Sequence, residues 1–136
     1  MGVKIDMAAY ALRHPGLIVP VAPGAAPRRS KYGNRRTEYG GRTYDSALEA
    51  GCAAHLDALA RLGFVVGWVA QPRYRLAAGV VYVADFSVSY SHGAPRVLDA
   101  KGVLTSVFKI KRKLFEGQYG PLDVVRRWQE IPLSGL

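Results

Sequence analysis

Val80-Val81-Tyr82-Val83-Ala84-Asp85-Phe86-Ser87-Val88-Ser89-Tyr90 is the most strand-like run in the chain. β-Branched and aromatic residues dominate it. Ser91-His92-Gly93-Ala94 then reads as a hairpin turn, and Pro95–Lys101 as the returning strand. Upstream, Phe64–Ala70 is a further strand, followed by Gln71-Pro72 and Arg73–Leu76. Pro72 marks an edge, a bulge or a break, because it has no N–H for a ladder. A helix precedes these strands. Ser46 is its N-cap, with Glu49 three residues on at the capping-box spacing. Ala47, Ala50, Ala53, Ala54, Leu56, Leu59, Ala60 and Leu62 form its broad apolar face, and Gly63 stops it. The alanines allow close approach to a sheet. Downstream, Gly102 ends the returning strand and Ser106–Tyr119 reads as a second helix. Its apolar positions Val107, Ile110, Leu114 and Phe115 are expected in the core, with Lys109, Lys111, Arg112 and Lys113 on the other face. Gly120-Pro121 ends it, and Leu122–Trp128 is the last strand. The order is helix, three strands, helix, strand (αβββαβ). This is an α/β sandwich with a central mixed β-sheet flanked by helices.

The chain has 136 residues, the length of one domain. Nineteen Lys and Arg against ten Asp and Glu leave a formal charge of +9. A protein this basic usually meets a polyanion, nucleic acid first; the plain alternative is a basic surface kept for solubility. No apolar run approaches the ~18 residues of a membrane span. Asp6, Arg13 and His14 interrupt the first twenty residues, so no signal peptide is read. Cys52 is the single cysteine. It has no internal disulfide partner, which suits a reducing, cytoplasmic compartment. Residues 1–30 read as an arm, since Pro15, Pro20, Pro23 and Pro27 prevent a regular helix beyond Met7–Leu12. Residues 31–136 form the domain proper. Arg28-Arg29, Lys31 and Arg35-Arg36 make a basic run that is either a solvated linker or a track for phosphates. Tyr32, Tyr39 and Tyr44 beside it either stack on unpaired bases or pack.

Acids are scarce, so their positions matter. Asp85 lies inside the strongest strand, between Ala84 and Phe86, and Asp99 in the next, between Leu98 and Ala100. A carboxylate in an apolar strand costs several kcal/mol if buried and unpaired. It needs a solvent-facing strand end, a basic partner or a metal. Asp99 and Lys101 are two apart and so project from one face, roughly 6–7 Å apart at Cα. Across the hairpin, Asp85 lies beside Asp99. Two converging carboxylates repel unless a cation joins them, and oxygen ligands favour Mg²⁺ or Mn²⁺. The Ala100 carbonyl is a further oxygen donor. A nearby lysine then orients or deprotonates water, or stabilises a pentacovalent phosphate. The plain alternative is a surface ion pair of Asp99 with Lys101 and a strand-end Asp85. His55 and His92 read as a helix-face and a turn residue, and Cys52 as a small buried hydrophobe.

Asp85 followed by Asp99-Ala100-Lys101 resembles the PD-(D/E)XK nuclease signature, with Ala84 where that motif has proline. Lys31-Tyr32-Gly33-Asn34, Thr43-Tyr44-Asp45-Ser46 with Glu49-Ala50, Gln71-Pro72, Tyr82–Phe86, and Asp99–Gly102 with Phe108–Lys111 extend the likeness over roughly residues 31–120. Over that span the chain resembles small phage-encoded endonucleases, similar in kind to Holliday junction resolvases. The resemblance implies a restriction-endonuclease-like core and a Mg²⁺-dependent endodeoxyribonuclease acting on branched DNA. Four-way junctions are the expected substrate, and 5′-phosphate and 3′-hydroxyl ends the expected products. It implies Asp85 and Asp99 as metal ligands, Lys101 as the catalytic lysine and Glu49 as an additional acid. Glu49 reads equally as a capping-box residue. Gln71 either touches the site or is a polar residue before a turn proline. Arg35, Arg36, Lys109, Lys111, Arg112 and Lys113 would contact DNA, or be a solvated face. Paired incision needs two sites, hence an expected homodimer, with Trp68, the arm and the Leu122–Leu136 tail as candidate contacts. Flap, nick or duplex nucleases of the same fold, and a non-catalytic nucleic-acid-binding protein on it, are the alternatives.

Overall fold

The computed structural model describes residues 35–136 and, before them, the backbone of the two-residue strand β1 (Leu17–Ile18). The rest of the expected arm, with Lys31–Asn34, lies outside the described residues. A short hairpin, β2 (Thr37–Tyr39) and β3 (Arg42–Tyr44), leads into α1 (Ala47–Arg61). Ser46 caps α1 by accepting the Glu49 N–H at 3.1 Å. The helix ends in a Schellman motif. Phe64 N–H reaches Leu59 O and Gly63 N–H reaches Ala60 O, with Gly63 at φ 88°.

The central sheet has the order β4-β7-β8-β9, from β4 (Val65–Ala70), β7 (Phe86–Tyr90), β8 (Arg96–Ala100) and β9 (Leu122–Val125). The first two pairings are antiparallel and β8–β9 is parallel, so the sheet is mixed. A parallel pair needs a crossover, and α2 (Ser106–Tyr119) provides it. On one face Ala50, Ala53, Leu56 and Leu59 of α1 pack with Val65, Phe86, Val88, Leu98 and Val125. The alanines bring that helix close. On the other face, Val97 and Val124 join a second cluster of Phe108 and Phe115 from α2 with Tyr74, Tyr82 and Leu122. The protein is thus mixed α/β, a mixed sheet between two helices.

Two expectations are corrected. Residues 80–90 do not form one strand. They break at Ala84-Asp85 into β6 (Val81–Val83) and β7. Opposite them, Gln71-Pro72 separates β4 from β5 (Arg73–Arg75). The pairing Ala70↔Phe86 resumes as Arg73↔Val83 without a change of register. One antiparallel ribbon therefore bends and passes from the central sheet into a second sheet, β1-β5-β6. Pro72 supplies no N–H, and Gln71 takes φ 53° to make the turn.

Of the expected α2 stripe only Phe115 is core. Val107 is 63% exposed, Ile110 62% and Leu114 39%, while Phe108 and Phe115 are buried. The two phenylalanines are seven residues apart, on one face. Phe115 meets Tyr74 edge-on at 5.0 Å and Tyr82 at 5.6 Å. Burying this aromatic pair outweighs the aliphatic stripe and sets the rotation of the helix. None of the helices among the described residues is long and apolar enough to cross a membrane.

Candidate active site

The ribbon bend creates the site. The β7–β8 pairing runs to Phe86↔Leu98 and stops, because β6 turns away. Asp99 and Ala100 keep β9 as a partner, at Val124 and Val125. On the β7 side the backbone N–H of Ala100 has lost its strand. The Asp85 carboxylate takes it instead, through Oδ2 at 2.7 Å. The bend is braced from the β4–β5 junction, where Gln71 N–H donates to Asp85 O at 2.8 Å and Pro72 O accepts from Ala84 N–H at 3.0 Å. The two acids foreseen from the hairpin therefore flank one strand end.

Asp99 is fully buried, and neither carboxylate oxygen has a hydrogen-bond donor. Its nearest cation is Lys101, with Nζ 3.5 Å from Oδ1. That separation is an ion pair, beyond the length of a well-formed hydrogen bond. Lys101 also rests 5.1 Å over the Phe108 ring. Burial pushes the Asp99 carboxyl up to about 6, against the pull of Lys101. Asp85 rises to about 6 for the same reason, opposed by Lys101 and the Ala100 N–H. Glu49 rises to about 8, from burial, then the Asp85 and Asp45 charges, with Lys101 opposing. Burial lowers Lys101, yet Asp99, Asp85 and Glu49 outweigh it and hold the amine above its ordinary value. Lys101 is the common member, a fixed cation facing three reluctant carboxylates.

Among the described residues, no three acidic, His or Cys side chains come together in a group able to hold a metal ion. Asp99 nonetheless presents two buried oxygens without donors, and Asp85 lies across the strand end. An all-oxygen set with this unmet demand fits a hard divalent cation. Asp85, Asp99 and Glu49, with the Ala100 carbonyl, are the residues that would hold one.

The remaining expected residues fall at different places. Gln71 braces Asp85 through its backbone. Arg35 is exposed, and Arg36 pairs with Asp45 at 3.6 Å. Lys109 and Lys113 are exposed on α2. Arg112 is engaged within the fold, pairing with Glu116 at 3.1 Å and donating to Leu122 O at 3.2 Å. Tyr44 is core, and Tyr39 bonds Asp57, so neither is a free stacking platform. Trp68 turns inward, donating to Asp57 at 3.0 Å and meeting Phe86 edge-on at 5.6 Å. Cys52 is buried, its thiol pushed up to about 12 by burial and by the Asp85 and Glu49 charges. His55 packs against Trp128 in a tilted arrangement, ring centroids 4.8 Å apart.

Sequence reasoning missed two features. Asp45 adds its charge beside Glu49 and Asp85; its place just before the Ser46 cap was the available signal. A groove of about 450 Å³ runs from Lys101 between β6 and α2, past Arg73, Thr105 and Lys111. No local signal joins Arg73 to Lys111.

The chain belongs to the family described as Protein of unknown function (DUF1064), which matches residues 29–130. No curated protein and no solved structure matches it.

Proposed function

We propose that the protein is a divalent-metal-dependent DNA endonuclease of the PD-(D/E)XK kind, with branched DNA, four-way junctions above all, as its substrate. The observation that carries this is the strand end where Asp85 takes the Ala100 N–H, beside the donor-less buried Asp99 carboxylate and cationic Lys101. The element order and the formal charge of +9 add support.

Hydrolysis joins a water oxygen to phosphorus while the bond from phosphorus to the leaving sugar oxygen breaks. Negative charge grows on the phosphoryl oxygens. A divalent cation, when bound, supplies Lewis-acid polarisation and a more acidic water. Lys101 supplies a fixed positive charge to the phosphoryl oxygens. Asp99 and Asp85 beside it hold its amine above the ordinary value, which supports a role in charge stabilisation. Asp85 does double work, aligning Ala100 and Lys101 through its hydrogen bond while offering its remaining lone pairs. The Gln71 brace fixes that alignment in advance, which limits reorganisation during the reaction. Paired incision of a junction calls for two such sites, hence a homodimer.

The test is cleavage of a labelled immobile four-way junction beside duplex, nicked and flap controls, with Mg²⁺ and with EDTA. Paired symmetric cuts in the junction, lost in EDTA, are expected. Equal cutting of all substrates keeps the nuclease and removes junction preference. Binding without cutting in Mg²⁺ or Mn²⁺ overturns the enzyme.

A further inference from the structure

Three cations border the groove between β6 and α2, Arg73, Lys101 and Lys111, and no carboxylate lines it. Arg73 and Lys111 have no ion-pair partner among the described residues. Within this mainly polar lining stand three exposed apolar side chains, Val81 and Val83 from β6 and Val107 from α2. Val107 is exposed because the Phe108–Phe115 pair, not the aliphatic stripe, faces the core, and Val81 and Val83 are exposed because they flank the inward-facing Tyr82 on β6. The volume, about 450 Å³, falls in the ~300–1,000 Å³ range of small-molecule sites.

A ligand matching this lining needs two features side by side, an anion and a flat apolar face. A paired duplex offers phosphates and sugars outward but keeps its base faces stacked inside. An unpaired nucleotide offers both. We propose that this groove binds an unpaired strand of nucleic acid at the mouth of the active site. Arg73 and Lys111 hold its phosphates, and Val81, Val83 and Val107 lie against a base. The proposal rests on the nuclease reading for the direction of the strand, which enters from the groove and reaches the reacting phosphate at Lys101. It also supplies a physical source of structure selectivity. Substrates with unpaired nucleotides at a branch gain contacts that a continuous duplex does not make.

The test uses the full chain and a fluorescein-labelled oligothymidylate of roughly 12 nucleotides, with a duplex of matched length, by anisotropy in EDTA. R73A and K111A are each expected to weaken oligothymidylate binding at least tenfold and lower its salt slope by about one. Duplex binding should change less than about threefold. V107D should weaken oligothymidylate binding more than duplex binding. R61A, an exposed charge loss at the end of α1 on the opposite face of the central sheet from α2, should leave the ratio of the two affinities unchanged. Lys111 is half-buried and the other three positions are exposed, and a thermal melt of each variant checks folding. Equal weakening of both probes by R73A and K111A, or no weakening of either, overturns the groove assignment. The cleavage assay separates this from failure of the enzyme. Loss of oligothymidylate binding in R73A, in a protein that cuts no DNA, supports the groove and defeats the nuclease. Full cutting with unaltered strand binding does the reverse.

Discussion

Two buried aspartates, Asp57 and Asp99, meet opposite fates. Asp57 on α1 is 7% exposed, and its two oxygens accept Tyr39 OH at 2.7 Å and Trp68 Nε1 at 3.0 Å. Asp99 on β8 is 0% exposed, and its oxygens accept no well-formed hydrogen bond. One carboxylate is satisfied by the fold and ties β2, α1 and β4 together. The other is left unsatisfied with a single cation at ion-pair distance. Burial alone therefore does not mark a functional acid; unmet hydrogen-bonding demand does. The cost of keeping Asp99 so is carried by the packed core beneath it, as expected where a site trades stability for reactivity.

The sharpest way to break this comparison is to exchange the two losses. Asp99→Asn should reduce junction cleavage by at least about a thousandfold, the scale of losing a key electrostatic group. Its melting temperature in EDTA should stay level or rise, because a buried charge is removed. Asp57→Ala should leave cleavage within a few fold and destabilise by about 1–3 kcal/mol, since Tyr39 and Trp68 lose their acceptor. Cleavage and thermal melts on both variants decide it. A destabilised D99N with wild-type activity would make Asp99 a second scaffold residue.

Much of this contrast was legible in the sequence on one side only. Asp99 stood out because a strand's period of two puts it on one face with Lys101, and the hairpin brings Asp85 across. That inference used only local geometry. The bend was half legible: Pro72 announced a break, but Ala84-Asp85 gave no sign that the ribbon bends there too. Asp57 passed unnoticed because its partners are 18 and 11 residues away, and an acid among alanines on a helix reads as solvent-facing. The α2 stripe misled for a related reason. Periodicity identifies an apolar face, not which of two competing faces finds a partner. The aromatic pocket that decided for Phe108 and Phe115 comes from Tyr74 and Tyr82 on another sheet.

A pH titration sharpens the comparison with a smaller effect. Asp85, Asp99 and Glu49 have carboxyls raised from 3.8, 3.8 and 4.5 to about 6, 6 and 8. The folded protein therefore binds more protons than the unfolded chain between about pH 4 and pH 8. Stability is fullest below the unfolded values and is lost as pH rises through the folded ones. In EDTA the melting temperature should fall by roughly 5 °C or more from pH 5 to pH 8. Mg²⁺ or Mn²⁺ should recover part of that loss at pH 8, by binding the folded form. D99N should show a shallower pH slope. A flat profile, or one unmoved by divalent cations at millimolar levels, would remove the carboxylates' shared demand for a cation.

The smallest effect isolates what satisfaction of a buried acid is worth. Tyr39→Phe deletes one donor to Asp57 and leaves Trp68 in place. A hydrogen bond to a charged acceptor contributes about 1.5–3 kcal/mol. Tyr39 is half-buried, so solvent at its edge can replace part of that bond, and the lower end, about 1.5 kcal/mol, is expected. The tyrosine itself reports the bond: its hydroxyl titrates above the ordinary value, first because it donates to Asp57. Spectrophotometric titration should show one late-titrating tyrosine fewer in Y39F. Cleavage should be unaffected, because Tyr39 reaches only the scaffold acid. If Y39F instead lowers cleavage as D99N does, the two aspartates communicate through α1. Glu49 is the residue through which they would do so, since it sits on that helix and faces Asp85.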